Sequence, residues 1–294
     1  MVKLKINLNF SLSRLDLAVK GLTTTQYLGQ YQSVFKGQGL EFADYRTYSQ
    51  GVDDASLIDW KASRRANNLL VKEFVEERNV EVIFMIDVSS QMLAGSVQKL
   101  KAEYIAEIVA AMGYNILKAG DAVGLLLFSD KITKYFPPQL GMEQFYVLTE
   151  NLSQVSNYGG YGDVSKALDF IFERGNDNSL IILVSDFIYD IKSTKVFEFT
   201  AKKFDFITFL VRDPLDVELP EGTGEVLVQD PYSGETLLVD PIMMKEEYAK
   251  NTKAKIDEVR KLMRKVGGDY LYLQTDKSFE LDIIKFFRMR AAKR

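Results

Sequence analysis

A chain of 294 residues that is 47% apolar and carries a net charge of −4 has enough material for a large buried α/β core. It contains neither cysteine nor histidine, which excludes disulfides, thiolate nucleophiles, the usual zinc sites and any triad with an imidazole base. The mildly acidic balance gives no reason to expect nucleic acid. What catalytic chemistry survives would rest on carboxylates, Lys, Tyr or a hard cation held by oxygen. The opening MVKLKINLNFSLSRLD interrupts its apolar positions with polar ones and does not read as a signal peptide. Apolar stretches such as Ile105–Leu117 and Leu180–Val184 are too short or too interrupted to span a bilayer, so no transmembrane segment is expected and the expected location is cytoplasmic.

In chain order, residues 1 to 35 read as a polar strand-like opening and a helix from Ser13, carrying Leu15, Val19 and Leu22. Gly37 and Gly39 mark a turn, and Leu40–Phe42 with Tyr45–Tyr48 read as a short strand. Asp53 and Asp54 lie in a Gly-Val-Asp-Asp turn, where such carboxylates ordinarily bond local backbone. Ile58-Asp59-Trp60 holds the single tryptophan, expected to be a packing anchor. Leu69–Phe74 suggests a second strand.

The stretch Val80–Met92 is the centre of the chain. Val82 to Ile86 is a continuous apolar run, as in a strand buried on both faces, and it ends in Asp87, Ser89 and Gln91. A strand that delivers oxygen-bearing side chains at its carboxyl end places them where open α/β sheets bind ligands. Beyond it, Leu100, Tyr104, Ile108, Ala111 and Ile116 have helical spacing. Ala122–Phe128 reads as a second buried strand and Lys131–Phe136 as an edge strand closed by Pro137-Pro138. Gly141–Leu152 and Val164–Glu173 read as helices around the loop Tyr158–Asp163; Leu180–Val184, ending in Ser185-Asp186, is a third buried strand and Phe206–Val211 a fourth, after a helix at Thr194–Lys203.

This alternation predicts a doubly wound, mainly parallel sheet flanked by helices. Residues 213–241 interrupt it with a β-hairpin, Val226–Val228 and Thr236–Val239, expected to join residues 35–75 in a small β subdomain. A charged helix, Lys245–Val266, ends at Gly267; a last strand, Tyr270–Gln274, and a helix, Phe279–Met289, close the chain. The expected domains are an N-terminal segment, 1–79, packing on the core, and a sheet domain, 80–294, with the insertion at 213–241.

Phe35-Lys-Gly-Gln-Gly39-Leu-Glu-Phe42, Arg46-x-Tyr48, Gly51-x-Asp53-Asp54, Ile58-Asp59-Trp60, Val71-Lys-Glu-Phe74, Asp87-x-Ser89, Gly120-Asp121, Ser185-Asp186-Phe187, Asp213-Pro214 and Asp230-Pro-Tyr-Ser-Gly-Glu235 follow one another at compatible spacing. Together they resemble the domain of unknown function 58 family, a von Willebrand factor A-like family of prokaryotes, along nearly the whole chain. The resemblance implies a fold used for protein contacts, often encoded beside MoxR-type AAA+ ATPases. It also implies a metal-ion-dependent adhesion site. In the parent fold Mg²⁺ is held by an Asp-x-Ser-x-Ser loop, a Thr from a second loop and an Asp from a third.

Asp87, Ser89 and Asp186 match that ligand set, while Gln91 stands at the second Ser and Gly162 at the Thr. Gln91 and Asp163 are the substitutes the chain offers, so Mg²⁺ is the cofactor this degenerate site would take. The plainer alternative makes Asp87 and Asp186 local backbone acceptors in a relic site. The expected function is a non-enzymatic protein-interaction domain, an adaptor or partner of a MoxR-type ATPase, acting through this site. The alternatives are a structural scaffold with a dead metal site and a Mg²⁺-dependent hydrolase using Asp87 and Asp186. The lack of a nucleophile–base pair weighs against the hydrolase.

Overall fold

The computed structural model describes residues 3–6, 41–49, 53–75, 80–177, 179–191, 194–219 and 224–293. The chain divides into two compact units, one comprising 1–28 and 80–294 and the other 29–79. The helix expected from Ser13 and the turn at Gly37 and Gly39 lie outside the described residues.

The larger unit is built on the apolar runs. β3 (Glu81–Asp87), β4 (Ala122–Phe128), β6 (Leu180–Ser185) and β7 (Asp205–Arg212) pair in parallel, joined by β10 (Asp269–Gln274) at one edge and the antiparallel β5 (Ile132–Gln139) at the other. Side chains alternate across a strand. Val82, Phe84 and Ile86 therefore pack with α2 (Lys101–Lys118), α3 (Glu143–Ser153) and α7 (Glu280–Lys293) on one face. Ile83 and Met85 pack with α4 (Ser165–Arg174), α5 (Thr194–Lys203) and α6 (Pro241–Val266) on the other. This is the expected doubly wound sheet, with strand order β10-β7-β6-β3-β4-β5. From β3 the chain proceeds first to β4 on one side and later to β6 on the other. The topological switch point therefore lies at the carboxyl ends of β3 and β6.

Two of the boundaries that differ from expectation do so for identifiable reasons. β5 runs through Pro137 and Pro138 to Gln139 because it is an edge strand, where a missing N–H is tolerated. Gly124 opposite gives the room: a Cβ there would lie 3.0 Å from the Pro138 nitrogen. Helix α6 begins at Pro241 rather than Lys245. Asp240 caps it by accepting from the Ile242 and Met243 N–H groups at 2.9 and 3.3 Å, and proline suits the first helical position. It ends at Gly267 in the left-handed conformation, as expected.

In the smaller unit β1 (Glu41–Thr47) and β2 (Leu70–Val75) form an antiparallel ladder. Between them lies a helix the sequence reading missed, α1 (Trp60–Ala66), capped by Asp59, which accepts from the Lys61 and Ala62 N–H groups. Trp60 is 67% exposed at its start and is not a packing anchor. Asp53 does serve the turn: Arg46 and the Ser49 N–H bond its carboxylate, and the Arg46 bonds hold its pKa down at about 2. In the larger unit the hairpin β8 (Val226–Gln229) and β9 (Thr236–Val239) forms a two-stranded antiparallel ladder. Its turn closes on itself, Asp230 accepting from the Tyr232 N–H at 2.8 Å and Gly234 adopting φ +74°.

Candidate functional site at the end of the sheet

β3 and β6 present Asp87 and Ser185-Asp186 side by side at the switch point, all three residues fully buried. The loop after α3 closes over them: the Gly159 N–H donates to the Val88 carbonyl at 2.8 Å and the Ser90 N–H to the Gly160 carbonyl at 3.0 Å. The structure thus brings Asp87, Ser89, Gln91, Asp186 and the loop holding Asp163 to one end of the sheet. Asp87 Oδ1 accepts from the Ser89 N–H at 2.9 Å and Oδ2 from Ser185 Oγ at 2.7 Å. Ser185 Oγ in turn accepts from the Phe187 N–H, and Phe187 is held at φ +48°, a conformation rare outside glycine. Asp163 faces its own helix, Oδ1 accepting from the Ser165 N–H at 3.0 Å.

The sequence reading missed the residue that meets Asp186. Lys101, only 1% exposed, extends its ammonium to Asp186 Oδ2 at 2.7 Å and to Asp216 Oδ2 at 3.0 Å. A signal was available: 101, 104, 105 and 108 share one face of α2, so Lys101 interrupts an otherwise apolar stripe. Burial alone would lower the lysine pKa, but the charges of Asp186 and Asp216 outweigh it and raise it. The ammonium is therefore charged at neutral pH. Asp216 also accepts from the Asp213 N–H. Asp213 binds Ser96 through both its backbone N–H and its hydroxyl, and Thr275 through its hydroxyl. Burial works to raise the Asp213 pKa, and these hydrogen bonds more than reverse it.

A Mg²⁺ ion fits these residues poorly. Its octahedral shell needs oxygens free to turn toward one point. One oxygen of Asp186 is taken by an ammonium, and both oxygens of Asp87 accept protein hydrogen bonds. At Gly162 the missing Thr has no room, because a Cβ there would lie 2.3 Å from Cδ1 of Tyr189. One oxygen does stand ready, Gln91 Oε1, buried and without a hydrogen-bond partner, while the Ser89 hydroxyl acts on the Asp87 carboxylate and helps to lower its pKa. The described residues hold no group of three or more Asp and Glu arranged as metal ligands.

Burial and the neighbouring Asp186 charge push the Asp87 pKa up from 3.8 to about 6, against the lowering effect of Ser185 and Ser89. The folded state then holds this proton more tightly than the unfolded chain. Asp87 accordingly contributes stability that is complete below pH 4 and lost as pH rises toward 6. Asp87→Asn is expected to flatten the urea midpoint across that window, with Lys101, Asp186 and Asp216 unchanged. A midpoint whose pH profile matches the wild type would show that Asp87 does not carry the effect.

The sequence profile of the family described as protein of unknown function DUF58 matches residues 44–258. An uncharacterized protein of Mycobacterium tuberculosis, Rv1480, is 25% identical over 284 residues, covering 95% of this chain and 89% of that one. An uncharacterized protein of Mycobacterium avium, MAV169, is 29% identical over 134 residues, 45% of this chain and 78% of its own length. Among solved structures, the conserved hypothetical protein BatB from Bacteroides thetaiotaomicron aligns with 74% of this chain and 100% of its own, at 21% identity and a TM-score of 0.45. The SpRpn10 VWA domain covers 46% of this chain and 77% of its own, at 12% identity and a TM-score of 0.35.

Proposed function

The chain belongs to the DUF58 family and has its von Willebrand factor A-like fold, and from that premise we propose that it is a non-enzymatic interaction domain that docks a MoxR-type AAA+ ATPase at the carboxyl end of its sheet. The observation that carries the docking surface is an apolar rim beside the site. Tyr161, on the loop over Asp87, meets Tyr232 at the hairpin tip edge-on, with ring centres 5.8 Å apart and both rings exposed. On the hairpin Leu227 and Leu238 pair across one face and Leu237 lies on the other, and these three with Ile242 and Met243 at the start of α6 are each more than half exposed. An exposed aromatic pair at the tip of a hairpin that itself carries exposed apolar side chains marks an interaction surface more often than an idle one. The ATPase as partner rests on the family resemblance, and the cytoplasmic location on that partner's need for ATP. Among the described residues no helix is long and apolar enough to cross a membrane.

The test is calorimetric titration with a purified MoxR-type ATPase from the same organism, repeated with Tyr161→Ala/Tyr232→Ala. The double variant is expected to bind at least about tenfold more weakly, as loss of an aromatic hot spot does, with an unchanged melting curve. Equal binding by both proteins would place the docking surface elsewhere. No binding by the wild type would favour the scaffold reading. Mg²⁺-dependent turnover of a phosphate ester, abolished by Asp87→Asn, would favour the hydrolase.

A further inference from the structure

We infer that Lys101 is the built-in cation of this site, its ammonium taking over the charge-balancing place of a divalent metal, so that the sheet end is assembled without metal. Three observations support this. The ammonium is buried and bonded to Asp186, the carboxylate that matches the third-loop metal ligand. The space a second-loop hydroxyl would need at Gly162 is filled by the Tyr189 ring. And the ammonium does the structural work of a metal by joining loops that are distant in sequence: Asp186 follows β6, Asp216 follows β7, and Lys101 itself opens α2.

The bracing extends further. Asp216 is tied to Asp213, and Asp213 to Ser96 before α2 and Thr275 after β10. Asp216 also sits in the turn that leads toward the hairpin carrying Tyr232. A metal with an open coordination position would recruit a carboxylate from its partner. A lysine ammonium that is 1% exposed, with two of its three N–H donors on internal carboxylates, offers no such position to a partner. A partner is therefore recognised by the apolar rim and by shape, without a metal bridge. The inference concerns how the site is built and holds whichever protein docks there.

The test uses the full chain, stripped with EDTA and titrated with Mg²⁺ and Mn²⁺ by calorimetry and by melting temperature. The expected result is no saturable heat and no change in melting temperature. Saturable binding of either ion that Asp186→Asn abolishes would overturn the inference. Nitrogen-15 NMR of the wild type at neutral pH is expected to show one lysine ammonium protected from exchange and absent from Lys101→Ser. Its absence from the wild type would count against the inference whatever the variant does. Lys101→Ser is further expected to melt lower than the wild type and to be raised toward it by Mn²⁺, an ion without effect on the parent. A Lys101→Ser protein as stable as the wild type, or one that Mn²⁺ does not stabilise, would show that the ammonium does not stand in a metal's place.

Discussion

Lys101→Met is expected to lower the stability of the sheet domain by about 3–5 kcal/mol, the cost of removing one partner from a buried ion pair. Methionine fills much of the lysine stem's volume, so little of the loss would come from packing. What remains is Asp186, fully buried with one oxygen left without a partner, and Asp216, mostly buried beside it. Adding Asp186→Asn to Lys101→Met removes the stranded charge and should recover part of the loss. Asp186→Asn alone should be costly too, since Lys101 then keeps only Asp216. The measurement is a double-mutant cycle in urea, and a coupling energy of at least about 1 kcal/mol is expected for residues in one network. Additive effects would mean that the two groups do not sense each other, contrary to the 2.7 Å contact.

The sheet was legible because its strands obey a simple rule. Val82–Ile86, Ala122–Phe128 and Leu180–Val184 are apolar without interruption, which only a strand covered on both faces tolerates. Asp87 and Asp186 could be placed together for the same reason, since each directly follows or closes such a strand. The elements misplaced are those set by single capping groups. Asp240-Pro241 starts α6 four residues before the apolar pattern becomes helical, and Asp59 with Asn67 encloses a helix of two turns too short to show a period. Lys101 was missed because a helical stripe is judged by its majority. A charged residue inside the stripe reads as noise until its partners, Asp186 and Asp216, 85 and 115 residues away, are known. Tyr189 was missed because nothing in the sequence shows a ring occupying the space that a glycine leaves.

That ring decides the outcome of the obvious attempt to restore a metal site, Gln91→Ser with Gly162→Thr. The double variant is expected to lose stability and to gain no Mg²⁺ binding. Positive φ is not the obstacle: Gly159 and Gly160 adopt it, but Gly162 does not. The obstacle is space, since a Cβ on residue 162 would lie 2.3 and 2.6 Å from Cδ1 and Cε1 of Tyr189. Tyr189 has little freedom to yield. It is 4% exposed, its hydroxyl lies 3.2 Å from Ser185 Oγ, and its ring packs against Phe187 and Tyr161. Moving it would loosen the serine that bonds Asp87. Overpacking of this kind costs about 1–3 kcal/mol, and Gly162→Ala alone should show most of it. Gln91→Ser alone should be far milder, since Gln91 Oε1 has no hydrogen bond to lose. Adding Tyr189→Val to Gly162→Ala would make room for the methyl group, so the pair should cost less than the two single changes summed. Urea midpoints of the four proteins measure this, and Gly162→Ala as stable as the wild type would show that the Tyr189 ring yields freely.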